Sequence, residues 1–449
     1  MSNSMWKKLG FSENPYDTKP LTVNQNDIDL LMGRESEQVE FLTTIESANE
    51  GVFVISGVPG VGKTSFLNIQ QYLIENGKGY GDKILAARTL CSVQPSDEPK
   101  HIAIRCLQSF TKSIQQFCEE KNQQLPKQVE KVINWLHQNK PSTFEFGFQI
   151  LGNGINYGKE VHLPNLNEAS YETLTELLKT LSLEVITELN FSGSFIVMDN
   201  IENLHEDDLS DVLVSFRDTL FTIEGIWFIL IGQSGLSSLI QSTNPKVYQR
   251  LSGGMELKPI SVDNLIKAVD KRVEKFHSSS SIGSSPISEE IYLKLFKCSN
   301  GEIRFVFKYC IQICISFVQT LRKYMTLEKV DIDDVSFDAF MGKYIVEKHI
   351  QEDFALLCLK EKIMEEFEGL YLTNEEKSIL KNIGEIGKIK PKDFKEFSAF
   401  GVKNLQEFTF NYLTKFSQQN LLFKRQEGKV VTYELRGIAF LALEFEVIE

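Results

Sequence analysis

The sequence predicts an α/β fold around a parallel β-sheet, followed by a helical region and a C-terminal winged helix-turn-helix. Apolar runs of strand length, "GVFVIS", "SFIVMD" and "GIWFILIG", lead into glycine or polar residues, as buried parallel strands do at a ligand-binding edge. Segments with apolar residues three and four apart separate these runs, which is typical of crossover helices. The final segment, residues 373–449, shows three helical patterns and then two short strands.

The first apolar run leads into "GVPGVGKTS", which fits the phosphate-binding pattern G-x-x-x-x-G-K-[ST]. Its glycines allow backbone N–H groups to turn toward a β-phosphate, and the following helix adds its positive N-terminal end. We expect Lys63 to reach the β- and γ-phosphates and Thr64 to offer its hydroxyl to Mg²⁺. The predicted ATP site consists of Gly57, Val58, Pro59, Gly60, Val61, Gly62, Lys63, Thr64 and Ser65.

The next two runs place polar groups at the same predicted edge of the sheet. Asp199 ends the run "SFIVMD" and is expected to hold Mg²⁺ together with Thr64, unless it only caps the next helix. Gln233 and Ser234 follow the run "GIWFILIG". They are candidates for contacting the γ-phosphate or positioning water, and the alternative is that they only open a turn.

The order of these parts resembles the AAA+ ATPases, particularly the origin-recognition and replication-initiator branch and the signal-transducing STAND ATPases. The similarity covers roughly residues 5–320 and includes the later segments "VYQRLSGGMELKPISVDNLIKAVDKRVE" and "CSNGEIRFVFKYC". It implies a P-loop NTPase core with a helical lid, and initiator-type members carry a winged helix in the same C-terminal place.

The resemblance also implies roles for three arginines. Arg34 lies in "GRE", at the centre of the segment that closes over the adenine. Arg304 in "GEIR" corresponds to the second sensor, which contacts the γ-phosphate of its own nucleotide, and Arg250 in "YQRL" to the arginine finger, which reaches a neighbouring subunit. A guanidinium suits both tasks because it stays charged and binds phosphate oxygens through a planar fork. The alternative for Arg250 and Arg304 is a surface ion pair.

One residue departs from the pattern of fast ATPases. Most AAA+ ATPases have a glutamate directly after the metal-site aspartate, where it acts as general base on the attacking water. This chain has Asn200 there, and an amide orients water but cannot accept its proton. Either Glu202 serves as the base or the activity is weak. We therefore predict slow hydrolysis, with the nucleotide state controlling conformation or assembly.

Composition narrows the class of protein and its partners. The chain has 449 residues, 42% of them hydrophobic, and a formal net charge of −13, so any contact with nucleic acid must be local. Its seven cysteines show no CxxC spacing, which argues against a disulfide framework or a zinc site and favours buried thiols. We expect a cytoplasmic protein without a membrane partner, because no uninterrupted apolar run approaches about 18 residues.

The chain is expected to divide into four parts. These are an N-terminal segment with the ATPase core over residues 1–259, a helical lid over 260–341, a helical connector over 342–372 and the winged helix-turn-helix over 373–449. Alternating apolar and polar residues predict a β-hairpin inserted into the core at about 142–163. This insertion either contacts DNA, a partner or a neighbouring subunit, or only extends the sheet edge.

The C-terminal segment is either a DNA-binding or a protein-binding winged helix. The hairpin "FKRQEGK" carries cations suited to a phosphate backbone, whereas the preceding helix offers few base-reading groups. The candidate DNA contacts are Lys403, Asn404, Gln406, Asn411 and Lys415 on the helix and Lys424, Arg425 and Lys429 on the hairpin.

Two functions from different classes follow. The first is an ATPase that assembles on binding ATP and engages double-stranded DNA, as an initiator-like, transposition or defence regulator. The second is a STAND-like signalling or scaffold ATPase, in which the nucleotide acts as a switch and the winged helix binds an effector or partner protein. The acidic charge and Asn200 favour the second function.

Overall fold

A parallel sheet forms the centre of the unit that spans Pro20–Lys258. The computed structural model describes residues 4–78, 81–138, 169–277, 286–329, 345–346, 349–427 and 430–448, and the predicted insertion at 142–163 lies outside them. Within the described residues the strands of this sheet are β1 Gly51–Gly57, β2 Ile84–Leu85, β3 Cys91–Ser92, β4 Gly193–Asp199, β5 Ile226–Ile231 and β6 Gly253–Leu257.

The strand order brings the predicted site together. The sheet runs β2–β4–β5–β1–β6, β3 also pairs with β4, and every pairing is parallel. All six residues of β5 are buried, as expected for a strand covered on both faces. The carboxyl ends of β1, β4 and β5 therefore meet at one edge, and the predicted parallel α/β core is confirmed.

Helices cover both faces of the sheet. The α-helices among the described residues before 258 are α1 Ser4–Lys8, which belongs to the other unit, α2 Glu35–Glu46, α3 Lys63–Glu75, α4 Pro99–Lys121, α5 Lys127–Gln138, α6 Tyr171–Glu188, α7 Glu206–Arg217, α8 Leu236–Thr243 and α9 Pro245–Tyr248. The segments of helical periodicity that separate the apolar runs include α4 and α6. On one face Phe41 of α2 packs against Phe53 of β1 and Phe66 of α3, with ring centroids 5.1 and 5.9 Å apart.

The second unit combines Met1–Lys19 with Pro259–Glu449. The sequence predicts that residues 1–19 belong with the sheet, but Trp6, Leu9, Phe11 and Tyr16 are buried in the core of this helical unit. Its helices include α10 Val262–Phe276, α11 Glu289–Cys298, α12 Ile303–Leu327 and α13 Glu352–Glu368, and a short ribbon pairs β7 Ile345–Val346 with β8 His349–Ile350.

Among the described residues, one helix, α12, is long and apolar enough to span a bilayer by length and composition. Its apolar side chains, among them Phe307, Ile313 and Phe317, pack into the core of the second unit. All seven cysteines are also buried, as the sequence predicts, and none forms a disulfide.

The C-terminal elements share that core. They are α14 Asn374–Ile386, β9 Lys388–Ile389, a 3₁₀ segment Pro391–Phe400, α15 Leu405–Glu407, a π-helical segment Phe408–Thr414, α16 Lys415–Gln418, β10 Leu422–Glu427, β11 Val430–Leu435 and α17 Ile438–Glu444. The predicted three helical segments and hairpin occur in that order, and β9 adds a third antiparallel strand beside β11. A reciprocal bond between Thr373 and Glu376 starts α14, with Glu376 Oε2 accepting from the Thr373 N–H at 2.9 Å.

Candidate nucleotide site

β1 carries the chain directly into the phosphate-binding loop. Gly57, Gly60 and Gly62 have φ angles of +150°, +75° and +99°, which glycine adopts without the steric penalty of other residues. A Cβ on Gly57 would also lie 2.6 Å from the backbone oxygen of Leu257 in β6. The glycines thus permit the tight connection between β1 and α3.

Lys63 lies at the first position of α3, folded over this loop. Its Nζ donates to the carbonyl oxygens of Gly57 at 2.8 Å and Val58 at 3.3 Å. Gly62 caps α3 without a side-chain hydrogen bond, so no side-chain oxygen of the cap competes for the first-turn N–H groups. A cation and a helix N-terminus at one loop fit the phosphates of a nucleotide.

Arg34 supports the loop from inside the protein. The side chain is only 4% exposed, and its Nη2 donates to the carbonyl oxygen of Val61 at 3.0 Å. Its Nη1 donates to the carbonyl oxygen of Lys258 at 2.7 Å and to Glu37 Oε1 at 2.8 Å. Arg34 therefore fastens the phosphate-binding loop to the end of β6, and a contact with the adenine stays a prediction.

The hydroxyl of Ser65 makes a hydrogen bond within the protein. It accepts a hydrogen bond from the N–H of Leu21 at 3.1 Å, and Asn68 Nδ2 donates to the carbonyl oxygen of Leu21 at 2.8 Å. Both acceptor and donor lie on α3, so this helix holds the start of the unit in place. Thr64, the neighbouring residue, is half-buried at the loop.

Asp199 and Asn200 lie where β4 ends, beside the end of β3. Asp199 Oδ1 accepts the N–H of Asn200 at 2.9 Å, and Asn200 adopts a left-handed conformation with φ of +60°. Asn200 Nδ2 donates to Ser92 Oγ at 3.2 Å, because parallel pairing sets Ser92 opposite Asp199. Ser92 is a site residue that the sequence did not reveal, since its only signal is a hydroxyl at the end of a two-residue strand.

Glu202 reaches the end of the neighbouring strand. It lies on a short 3₁₀ turn, Ile201–Asn203, that Asn203 Nδ2 ties to the carbonyl oxygen of Val93 at 2.8 Å. A Cβ placed on Gly232 would be 3.4 Å from Glu202 Oε2. The carboxylate of Glu202 thus lies against the residue that follows β5, at the same edge as Asp199.

Gln233 and Ser234 follow Gly232 and are exposed. The hydroxyl of Ser234 donates to Glu256 Oε1 on β6, a partner that the sequence did not indicate. Of the two predicted residues, Ser234 thus contacts β6, and Gln233 stays the candidate for contacting the γ-phosphate or positioning water.

The phosphate-binding loop and the ends of β4 and β5 lie within a segment that matches a known family. Residues 46–240 match the AAA domain family, and they include the phosphate-binding loop, Asp199 and Gln233. The chain contains an AAA domain. This match agrees with the predicted P-loop NTPase core.

The similarity to known proteins extends beyond the AAA domain. An uncharacterized HTH-type transcriptional regulator of Methanocaldococcus jannaschii is 23% identical over 336 residues, covering 73% of this chain and 72% of that protein. The ORC2 protein of Aeropyrum pernix, solved as ADPNP–ADP complexes, is 12% identical with a TM-score of 0.48, covering 96% of both chains. The ORC1 protein of the same organism, solved in complex with DNA, is 13% identical with a TM-score of 0.44, covering 95% of this chain and 97% of that chain.

The two predicted catalytic arginines lie in different units. Arg250 is exposed at the surface of the unit that holds the AAA domain, between α9 and β6. Asp218, whose pKa is lowered first by its hydrogen bond with Arg217, also feels the charge of Arg250. Arg304 is exposed in the first turn of α12, in the other unit.

Some of the side chains predicted to contact DNA already bond to other residues of the chain, and others are exposed. Asn404 uses its side chain to cap α15, accepting the N–H of Glu407 at 2.9 Å, and Lys415 forms an ion pair with Glu376. Burial alone would raise the pKa of Glu376, but hydrogen bonds from Lys415 and Thr373 lower it below its usual value. The exposed candidates are Lys403, Gln406, Asn411, Lys424 and Arg425, and Lys429 lies outside the described residues.

Proposed function

We propose that the chain is an ATP-binding AAA+ ATPase with slow hydrolysis, which uses its nucleotide state to control its own assembly and its engagement of duplex DNA. Lys63 and the loop around it bind the phosphates, and Thr64 with Asp199 holds Mg²⁺. The observation that carries the slow rate is Asn200, whose amide occupies the position after Asp199 and donates to Ser92.

The chemistry of this position explains the expected rate. With its N–H₂ engaged by Ser92, the amide of Asn200 retains a carbonyl oxygen that can accept a hydrogen bond from water, but it cannot take the proton. The nearby carboxylate is Glu202, which lies against the end of β5. Glu202 is the proposed base, and Gln233 the proposed contact for the γ-phosphate or the water.

Assembly and DNA engagement are proposed from the surfaces of the two units. Arg250 is exposed and able to reach the nucleotide of a second copy, as an arginine finger does, and Arg304 is proposed as the sensor of the chain's own nucleotide. The similarity to a protein described as an HTH-type transcriptional regulator, over 73% of this chain, supports a role at DNA. A cytoplasmic location belongs to this proposal.

ATP turnover with and without duplex DNA at low salt tests the proposal. The wild-type chain is compared with Lys63→Ala, which loses phosphate binding, and with Glu202→Gln, which keeps the size of the side chain but removes the base. We expect slow turnover that DNA stimulates and that both variants lose. Turnover at the rate of a vigorous motor would contradict the switch, and turnover unchanged in Glu202→Gln would contradict the assigned base.

A second candidate function is a nucleotide switch whose C-terminal region binds a protein. It is favoured by Leu405 and Phe410, which are 45% and 64% exposed on the third helical segment of that region. Gel filtration with and without ATP, at low salt and without DNA, tests the switch. Tight ATP binding with a change of size, negligible turnover and no response to DNA would support this function over the first.

A further inference from the structure

The chain passes twice between its two units, once between Lys19 and Pro20 and once between Lys258 and Pro259. Each step leads into a proline, which fixes its own φ and restricts the residue before it. A hinge absorbs movement through changes in φ and ψ, and these prolines limit such changes. Residues 16–21 are called the first connection below, and residues 258–260 the second connection.

The first connection is held by hydrogen bonds at both ends. Toward the AAA domain, the N–H of Leu21 donates to Ser65 Oγ at 3.1 Å, and its carbonyl oxygen accepts from Asn68 Nδ2 at 2.8 Å. Ser65 ends the phosphate-binding loop, and Asn68 follows it on α3. Toward the helical unit, the carbonyl oxygen of Asp17 accepts from Arg272 Nη1 on α10 at 3.4 Å. Residues 18–20 separate the two sets of bonds.

The second connection is shorter. The carbonyl oxygen of Lys258 accepts from Arg34 Nη1 at 2.7 Å, and Nη2 of the same guanidinium donates to the carbonyl oxygen of Val61 in the phosphate-binding loop at 3.0 Å. The next residue, Pro259, packs so closely on Gly301 that a Cβ on this glycine would overlap with the proline ring. The points held in the two units are therefore consecutive residues of the chain.

Both connections lead to the same helix of the second unit, α10. The second connection continues into α10 at Val262, after Ile260, which is buried in the core of that unit. The first connection is bonded to α10 at Asp17, and just before it the N–H of Ser12 donates to the carbonyl oxygen of Phe276 at 2.7 Å, at the end of α10. Segments held by the phosphate-binding loop thus join α10 near both of its ends.

Nucleotide binding should rearrange the loop to which the connections are bonded. Nζ of Lys63 donates to two carbonyl oxygens of this loop, and bound phosphates compete for the cation and for the N–H groups of the loop. A loop that rearranges around phosphates moves its acceptors, the carbonyl of Val61 and the hydroxyl of Ser65. The bonds to these acceptors then move the connections.

We infer that the two connections carry the nucleotide state from the phosphate-binding loop to α10, with Arg34 and Asn68 as positioning residues, and that this route acts independently of Arg304. Arg304, the proposed sensor, lies on a different helix, α12. A loop held by phosphates holds both connections, so ATP should slow the local opening of α10. This route rests on the proposed control by nucleotide state and names the residues that transmit it.

Hydrogen exchange of the full chain, with and without ATP and Mg²⁺, tests the route at the amides of α10. The variant Pro20→Gly/Pro259→Gly loosens both connections and removes no backbone donor, because proline has no N–H. Asn68→Ala is a second, independent variant, because it removes the donor to the carbonyl oxygen of Leu21.

Two further variants separate this route from other causes. The matched control, Pro245→Gly/Pro391→Gly, replaces one proline in each unit at the start of a helical segment, away from the connections. Arg304→Ala removes the proposed sensor. Circular dichroism checks that every variant is folded, and a fluorescent ATP analogue checks that the loosened variants still bind nucleotide.

We expect ATP to slow exchange in α10 of the wild type by about fivefold or more, the low end of typical coupling between two sites. In Pro20→Gly/Pro259→Gly the slowing should fall below about twofold although ATP still binds, and Asn68→Ala should reduce it. The control and Arg304→Ala should keep the slowing of the wild type.

Two outcomes would contradict different parts of the proposal. Full slowing in both Pro20→Gly/Pro259→Gly and Asn68→Ala, with loss of slowing in Arg304→Ala, would overturn this route in favour of the sensor and leave the nucleotide switch standing. No change in exchange anywhere in residues 259–449 of the wild type, with ATP bound, would overturn the proposed control by nucleotide state itself.

Discussion

Asn200 shows how one residue sets the expected chemistry of the site. It combines a left-handed backbone, which asparagine tolerates better than most residues, with an amide that donates to Ser92. Neither feature requires a carboxylate, and both suit a residue that holds a turn. The structure thus shows Asn200 holding the turn after Asp199, and its placing of a water molecule stays a prediction.

Replacing Asn200 with glutamate should raise the rate of ATP hydrolysis. A carboxylate at this position can act as general base, an effect worth about 10²–10⁴-fold when well placed, and strain at the positive φ will offset part of the gain. Single-turnover phosphate release measures the change, with Asn200→Gln as the control of size without charge. A rate equal to that of wild type, with ATP binding intact, would show that Glu202 or another group already supplies the base.

Gly57→Ala should abolish nucleotide binding and destabilise the AAA domain. The added methyl would meet the Leu257 oxygen at 2.6 Å at a φ of +150°, and such backbone strain costs about 1–3 kcal/mol. Gly81→Ala is the matched control, because a Cβ there meets nothing within 4 Å and the residue is exposed. Thermal unfolding and binding of a fluorescent ATP analogue report the two effects, and equal behaviour of the two variants would refute the argument.

At the scale of elements, α3 is held to its surroundings by an ionic network. Arg88 donates to both carboxylate oxygens of Glu75 on α3 at 2.8 Å and to Glu120 on α4, also at 2.8 Å. Burial would lower the pKa of Arg88, but hydrogen bonds to Glu75 and Glu120 raise it, so the residue stays charged. Glu75 Oε2 also accepts the N–H of Ala86, which ties α3 to the region after β2.

Removing this guanidinium should weaken the support of the helix that carries Lys63. We expect Arg88→Ala to lower the free energy of unfolding by about 3–5 kcal/mol, because it leaves the carboxylate of Glu75, 5% exposed, without its charged partner. The control is Arg217→Ala, which breaks the exposed pair with Asp218 and should change the free energy of unfolding far less, because solvent screens that pair. Urea unfolding followed by circular dichroism compares them, and similar midpoints would show that the network contributes little.

At the scale of the whole molecule, the C-terminal region is part of a larger core. The apolar cluster of the second unit runs from Trp6 through Phe307 to Ile379 and Ile448. Arg436 at the end of β11 pairs with Glu302 at the start of α12 and lies over Phe423, with its guanidinium 5.9 Å from the ring centre. The N–H of Gly437 donates to the carbonyl oxygen of Cys298 at 2.9 Å. The helices α11 and α12 and the C-terminal elements are thus joined by both apolar and polar contacts.

Arg436→Gln should destabilise this unit far more than Lys294→Ala, which breaks a more exposed ion pair. Arg436 and Glu302 are 10% and 16% exposed, so breaking the pair should cost about 3–5 kcal/mol and raise hydrogen exchange in β10 and β11. Lys294→Ala is the control, since its pair with Glu444 is 29% and 39% exposed and worth about 0–1 kcal/mol. If adding Glu302→Gln to Arg436→Gln restored no stability, the pair would not be the cause.

Local pattern alone determined much of this protein. Strand-length apolar runs, helical periodicity and the GxxxxGKT spacing predicted β1, β4, β5, α4, α6 and the phosphate-binding loop, because each depends on residues close together in the chain. The tertiary structure decided the rest. Ser92 meets Asn200, Arg34 meets Lys258 and Arg436 meets Glu302 across separations of 108, 224 and 134 residues. No local period encodes such pairs, because they form only when the sheet and the helical core bring distant segments together. The placement of residues 1–19 in the helical unit has the same origin.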